Sequence, residues 1–476
     1  MMDGRRRSPA RLPLLAAAWP TLAVPLLGLA VVAAIVMGEL GRVTMVVALG
    51  GAVLLVWAWP KAGVILLMLV VFFVDWAVDE LDLLPRYATL ASEIILLVLG
   101  VRVLLGIIAR RRIVGTGIDG PVILLLVLAL GSAVAHDIPA FRVALGLRGL
   151  FKFMLMFYVL VNLRLGERFY RRAIALMVGV AFLQIPITVW QFAVLGLRDD
   201  RVSGSLRSTG ILTILLIFVI CLMVGLFVRH RPRPIYLLAT FGLFFMPVIG
   251  EAKGFFFLLP PTLLFLFRRA VLASPIRAAG ALAVMALPFF AAAALFGSVE
   301  GNEEMLPVVL EPSRFFTDQS IGVSATSRLG EILVSHAEVS RSPETFLVGY
   351  GLGSRTFAFA DVEKFTSAVL YHAPVAGRIY ELGYLGTALY FLMHYQLLRR
   401  AVRLRRVVAD RFWRAVCFAF PGAVFAFVAG MAYTEVAEKP VAFAFWFLAA
   451  AVHTAGASRQ TAPAPAPVGA EAVAHP

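Results

Sequence analysis

The chain has 476 residues, of which 61% are apolar and only 15% charged, with a formal net charge of +15 and a mean hydropathy of +0.90. A soluble chain of this length carries about a quarter charged residues, so the composition excludes a string of ordinary soluble domains and predicts an integral membrane protein. Cys221 and Cys417 both lie in apolar runs, which leaves no disulfide framework and no Cys/His metal cluster.

Arg5, Arg6 and Arg7 precede an apolar run from Trp19 to Met37 with no clear small-residue cleavage site after it. That pattern predicts a retained first span with its basic end inside. At about 20 apolar residues per crossing, the chain divides into fourteen candidate spans, and the fold expected is an all-α polytopic membrane protein. They are 19–37, 43–58, 62–77, 88–108, 121–135, 149–163, 172–195, 209–228, 235–250, 254–267, 276–296, 378–398, 413–431 and 441–454. The domain reading is helices 1 to 11 over 1–296, one large loop over 297–377, helices 12 to 14 over 378–457, and an Ala/Pro-rich disordered tail over 458–476.

Lys and Arg are retained on the cytoplasmic side of a membrane. Alternate connections are strongly basic, so one side sums to +21 and the other to −7, with Arg102 inside a span and able to snorkel. Both termini are expected in the cytoplasm and the long loop outside, which in a bacterial inner membrane is the periplasm. The +15 therefore reports topology and does not call for nucleic acid. The runs 235–250 and 254–267 are short for a crossing, which predicts that the hairpin tip Glu251-Ala252-Lys253-Gly254 sits below the outer surface. Ionisable groups at such depth either line a wet cavity or pair with one another.

No P-loop, H-E-x-x-H, G-x-S-x-G or D-x-D pattern is present. The expected outer face nevertheless keeps Arg142, Arg148, Lys152, Arg201, Arg207 and Lys253, although outer loops normally shed cations. Arg148 and Lys152 are four apart and share a helical face. Together this set predicts a basic outer pocket for a phosphate-bearing ligand; the plainer alternative is headgroup contact and pairing with Asp137, Asp199 and Asp200.

Near the end of the long loop, Gly349-Tyr350-Gly351-Leu352-Gly353-Ser354 allows close backbone approach. His372 follows, then Glu381 nine residues on, Gly383 eleven on and Gly386 fourteen on, with Ser327-Arg328-Leu329 upstream. This Gly-x-Gly run, the His-x8-Glu-x-Gly-x2-Gly spacing and the upstream Arg resemble the O-antigen ligase and O-antigen polymerase superfamily of bacterial inner-membrane glycan transferases. Arg201-Val202-Ser203-Gly204 resembles an Arg-x-x-Gly found in the same family. The resemblance covers roughly 200–260 and 325–390. Ala373 stands where an Asn often follows the family's His, and no aromatic follows Arg328 closely.

The resemblance implies a GT-C-like enzyme that moves a glycan from an undecaprenyl-diphosphate carrier onto a sugar hydroxyl, with an acceptor glycan or lipid A core as second substrate. Polymerisation is preferred over ligation. The implied reaction requires no metal, nucleotide or other cofactor. His372 would serve as general base; Arg328, supported by Arg201, Arg207 and Lys253, would hold the developing diphosphate charge; Glu381 would orient His372 or bind acceptor hydroxyls. Gly383 and Gly386 read as a small-residue packing face, and His336 as a packing residue on the stripe Leu329, Ile332, Leu333, His336, Val339. The competing reading is a lipid-linked oligosaccharide flippase or other transporter, which should show internal repeats and ionisable residues deep in its spans.

Overall fold

The computed structural model describes residues 50–110, 112–197, 201–250, 252–274, 276, 328–355, 373–434, 436 and 439–457. Among the described residues there is no strand. Long Leu-, Val-, Ala- and Phe-rich runs bring no side-chain hydrogen bonds of their own, and in lipid each backbone group must be satisfied within its segment, which the α-helix does.

Residues 50–58 are helical. The elements after them are α1 Pro60–Asp79, a 3-10 turn Arg86–Leu90, α2 Ala91–Arg110, α3 Asp119–Ala135, α4 Ala140–Leu163, α5 Glu167–Ala193, α6 Thr209–Arg229 and α7 Pro234–Ile249. Then come α8 Lys253–Ala273, α9 Arg328–Val339, α10 Pro343–Val348, α11 Pro374–Val407, α12 Arg411–Gly430 and α13 Lys439–Ala457. Among the described residues, seven helices are long and apolar enough to cross a membrane, and α3 and α7 are shorter apolar helices. The chain is thus all-helical where described, with the apolar helices of a multi-pass membrane protein. Of the expected spans, 19–37, residues 43–49 of 43–58, and 277–296 lie outside the described residues, as do 297–327 and 356–372 of the long loop and the tail 458–476.

Three expectations about the spans change. The span expected over 149–163 is part of a helix that begins at Ala140, so Arg142, Arg148 and Lys152 lie on α4 and not in a loop before it. The span expected over 254–267 continues through Arg268 and Arg269 to Ala273; at 21 residues it reaches about 31 Å, so of the two runs expected to be short only the 16-residue α7 is shorter than the hydrocarbon core. The span expected over 378–398 lies inside a 34-residue element that loses helical geometry at Gly383.

Residues 50–70, 87–110 and 112 form one compact unit; 71–86 and the described residues from 113 onward form a second. The second carries all the features below. Its centre is α6, buried without interruption from Thr209 to Leu226, as a helix apolar on every face must be when other helices surround it. It packs on α12, α7, α8 and α13. The approach to α12 is close because small residues meet it: a Cβ on Gly225 would fall 2.8 Å from the Ala415 carbonyl oxygen, one on Gly422 2.7 Å from Cys221 Sγ, and one on Gly430 2.7 Å from Ile214 Cδ1. Phe420, Phe427, Phe443, Phe445 and Phe447 fill the space beside this pair, with Phe427 and Phe445 stacked at 4.2 Å.

Replacing Gly225 with leucine forces α6 and α12 apart and should cost about 1–3 kcal/mol, whereas Gly179, which has open space around it, should accept the same change. The unfolding midpoints of the two variants in one detergent measure the difference.

Candidate functional site

The site starts from a backbone problem. α11 breaks at Gly383, whose φ of 63° and ψ of −171° are outside helical space and open only to glycine without strain. The break strands the carbonyls of Tyr380 and Glu381, which need donors from elsewhere. The glycine run supplies them: the Tyr350 N–H donates to the Tyr380 carbonyl at 2.9 Å and the Gly351 N–H to the Glu381 carbonyl at 3.1 Å. Backbones this close exclude side chains. A Cβ at Gly349 would fall 2.5 Å from the Gly383 nitrogen, and one at Gly353 would overlap the Arg142 carbonyl on α4. The expected packing role of Gly383 therefore becomes a helix break sealed by the loop.

Glu381 locks the same loop from its side chain. Its Oε1 accepts the Gly353 N–H at 3.1 Å and the Arg355 N–H at 3.4 Å, and Oε2 lies 3.6 Å from Arg378 Nη1. The Arg355 guanidinium covers Gly377, one turn before Glu381. With Glu381 only 4% exposed, its carboxylate serves the loop. Neither Arg355 nor Arg378 is visible as a partner in the sequence; Arg378 stands three residues before Glu381, a spacing that puts both on one helical face. Tyr350 completes the join by stacking on Tyr380 at 4.8 Å, while its hydroxyl donates to the Glu338 carbonyl at 3.0 Å.

The upstream Arg lies on α9, the helix that packs on the start of α11. Arg328 sits over the Tyr433 ring at 5.4 Å. One turn on, Glu331 is fully buried, and its Oε2 accepts the Ala373 N–H at 2.6 Å; Oε1 has no partner among the described residues. The Ser335 hydroxyl donates to the Ala376 carbonyl at 2.7 Å, and the Val375 N–H to the Met431 carbonyl at 3.2 Å. The backbone at Ala373, next in sequence to His372, is thus held by the helix that begins at Arg328. His372 itself lies outside the described residues.

The buried face of α9 is only in part the expected stripe: Val339 is buried and Ile332 packs against Ala373 and Ala376, but Leu329, Leu333 and His336 turn outward. Glu331, Ser335 and Val339 are buried, while Leu329 is 43% and Leu333 57% exposed. Two backbone groups of the α11 start capture Glu331 and Ser335, and a buried polar contact of that kind outweighs the apolar stripe. His336, expected to pack, is exposed and sits 2.8 Å from the Tyr384 hydroxyl through Nδ1.

Tyr433 and Thr434, just beyond α12, tie these parts to two further segments. A Cβ at Gly254 would overlap the Tyr433 ring, and one at Gly210 would fall 2.5 Å from Thr434 Oγ1. The first residues of α8 and of α6 therefore meet at the same end as Arg328; of Lys253, the backbone begins α8 and the side chain lies outside the described residues. Gly250, before the hairpin tip, backs onto the Val202 carbonyl. Two buried glutamines of α5 hold the 201–208 segment. Gln191 exchanges two 2.8 Å hydrogen bonds with Gly204, and Gln184 Oε1 accepts the Ser205 N–H at 2.7 Å. Sequence reasoning passed over both, because polar residues inside a span carry no motif; their spacing of seven on one buried face is the available signal.

The other cations divide. Arg201 is exposed at the start of that segment. Arg207, at φ 67°, pairs with Asp79 at 3.3 Å, a partner other than the three expected acids. Arg148 is exposed on α4, and the Lys152 ammonium lies 5.1 Å from the Phe153 ring centre. A larger cavity of about 700 Å³ lies at the opposite end of the helices, lined among others by Thr116, Gln396, Arg399, Arg400, Arg403 and His453; its volume does not make it the reaction site, since Arg328 and Glu381 are not among its walls.

Glu331→Gln keeps an acceptor for the Ala373 N–H and should unfold near the wild-type midpoint. Glu331→Ala leaves that buried N–H unpaired at a cost of about 1–3 kcal/mol, read as a lowered midpoint in the same thermal scan. Comparison with known proteins gives no matching family model and no matching curated protein.

Proposed function

We propose that this chain is a bacterial inner-membrane glycan transferase of the O-antigen polymerase or ligase type, working at the periplasmic face with both termini in the cytoplasm. The observation that carries the reading is the Glu331–Ala373 hydrogen bond of 2.6 Å. It joins the turn that bears Arg328 to the residue after His372, two positions distant in sequence that the resemblance assigns to one reaction. The convergence of Tyr433, the start of α8 and the start of α6 on the same end supports a site there.

In the proposed reaction an acceptor sugar hydroxyl loses its proton to His372 as its oxygen attacks the anomeric carbon. The bond from that carbon to the undecaprenyl diphosphate breaks, the electron pair leaves on the diphosphate, and the anomeric configuration inverts. Arg328 faces the charge that develops on the leaving group, and an arginine fork suits diphosphate oxygens. Glu381, Arg378 and Arg355 act as positioning residues that fix the glycine run against α11. Polymerisation of repeat units is preferred over transfer to lipid A core.

The α11 break favours a second reading, a lipid-linked oligosaccharide transporter, because discontinuous helices build the binding sites of many transporters. Surface polysaccharide gels of a deletion strain complemented with variants separate the readings. His372→Ala and Arg328→Ala are expected to abolish long chains at normal protein level. One repeat still attached marks a polymerase, and polymer retained on carrier lipid marks a ligase. Repeat units held on carrier at the cytoplasmic face mark a transporter. Full activity of His372→Ala overturns the assignment of the base.

A further inference from the structure

The ends of α6, α8, α11 and α12 opposite the candidate site close around a cavity of about 200 Å³ lined by Arg229, Arg269, Arg405, Arg406, Arg414 and Phe418. Five arginines from four helices line one small space, Arg405 and Arg414 half-buried and Arg229, Arg269 and Arg406 exposed. A basic helix end is what retention of cations on the cytoplasmic side produces; convergence on a shared cavity is more than that rule requires, since like charges repel and separate when nothing holds them. Among the described residues none of the five pairs with a carboxylate. Arg229 lies over the Phe418 ring at 5.2 Å, and Arg414 donates to the Val408 and Ala409 carbonyls at 3.1–3.3 Å. Asp410, the acid nearest in sequence, is turned away to Arg171 at 2.7 Å.

We propose that this cavity binds a phosphate-bearing anion, which supplies the counter-charge that lets the four helix ends meet. Arginine forks match phosphate oxygens, and the space is below the range of roughly 300–1,000 Å³ that accommodates whole small-molecule ligands, so the group bound is a phosphate and not a complete metabolite. Its source is an anionic phospholipid headgroup, with Phe418 at the apolar side, or free phosphate; basic clefts between membrane helices commonly take the former.

The test uses the full chain in nanodiscs of phosphatidylcholine alone, of phosphatidylcholine with phosphatidylglycerol, and of phosphatidylcholine with inorganic phosphate in the buffer. The readouts are the unfolding midpoint and, by native mass spectrometry, lipid retention. A midpoint raised by phosphatidylglycerol identifies a headgroup, and one raised by inorganic phosphate identifies free phosphate. The doubly substituted Arg269→Gln, Arg406→Gln protein should lose that rise and retain anionic lipid roughly 25-fold less, at about fivefold per arginine near a membrane surface. Arg269→Lys with Arg406→Lys keeps the charge, tests the site should the glutamine pair not fold, and is expected to retain lipid better than the glutamine pair and less than wild type. No rise in either arm, or an equal rise in the glutamine variant, overturns the proposal.

Discussion

A helix that breaks inside an apolar bundle leaves carbonyl groups that neither lipid nor neighbouring side chains can easily satisfy, and each left unpaired costs as much as several ordinary contacts supply. The arrangement around Gly383 follows from that one requirement. Tyr350 and Gly351 must present their N–H groups to Tyr380 and Glu381, so the glycine run must lie flat on α11. Flatness excludes side chains at Gly349 and Gly353. The run then abuts α4 at Arg142 and Gly146 and α3 at Ala133, and the Ser132 hydroxyl on α3 donates to the Val348 carbonyl at 2.9 Å. A local defect in one helix thereby fixes a contact surface for two others, α3 and α4.

The second consequence is electrostatic. A carboxylate as enclosed as Glu381 persists only with donors around it, and it has two backbone N–H groups and the Arg378 guanidinium. Its acceptor capacity is used in shaping the loop, while Arg328 on the neighbouring helix lies over the Tyr433 ring. In the proposed reaction, positioning and charge binding are divided between two helices that meet at Ala373.

How much of this the sequence discloses depends on the kind of interaction. Helices are legible because hydropathy is a sum over many residues: the runs near 62–77, 88–108 and 209–228 match α1, α2 and α6 closely. Boundaries are less so, since Arg268 and Arg269 end an apolar count without ending the helix. The importance of the 349–354 glycines and of Glu381 was legible as spacing. The hydrogen-bond partners were not: Glu331, Gln184 and Gln191 act on backbone groups of other segments, and a backbone group has no signature in the sequence. The same cause turns α9, where two polar anchors at Glu331 and Ser335 share the buried face with Val339 and leave Leu329 and Leu333 outside.

The central helix α6 is apolar on all sides and enclosed on all sides. To such a helix, lipid and protein are nearly equivalent surroundings, so it is stable in the bilayer before its neighbours exist. It has to be: α12, the helix it packs against through Gly225, Gly422 and Gly430, begins at Arg411, about 200 residues after Thr209, which is on the order of ten to forty seconds of synthesis. α11, carrying Glu381 and Arg378, has no such latitude, because the backbone donors to the Glu381 carboxylate come from the loop made just before it. Biogenesis of this protein thus has a waiting component and a prompt one, and a ribosomal pause placed between the 349–355 loop and α11 would harm it more than one placed after α6.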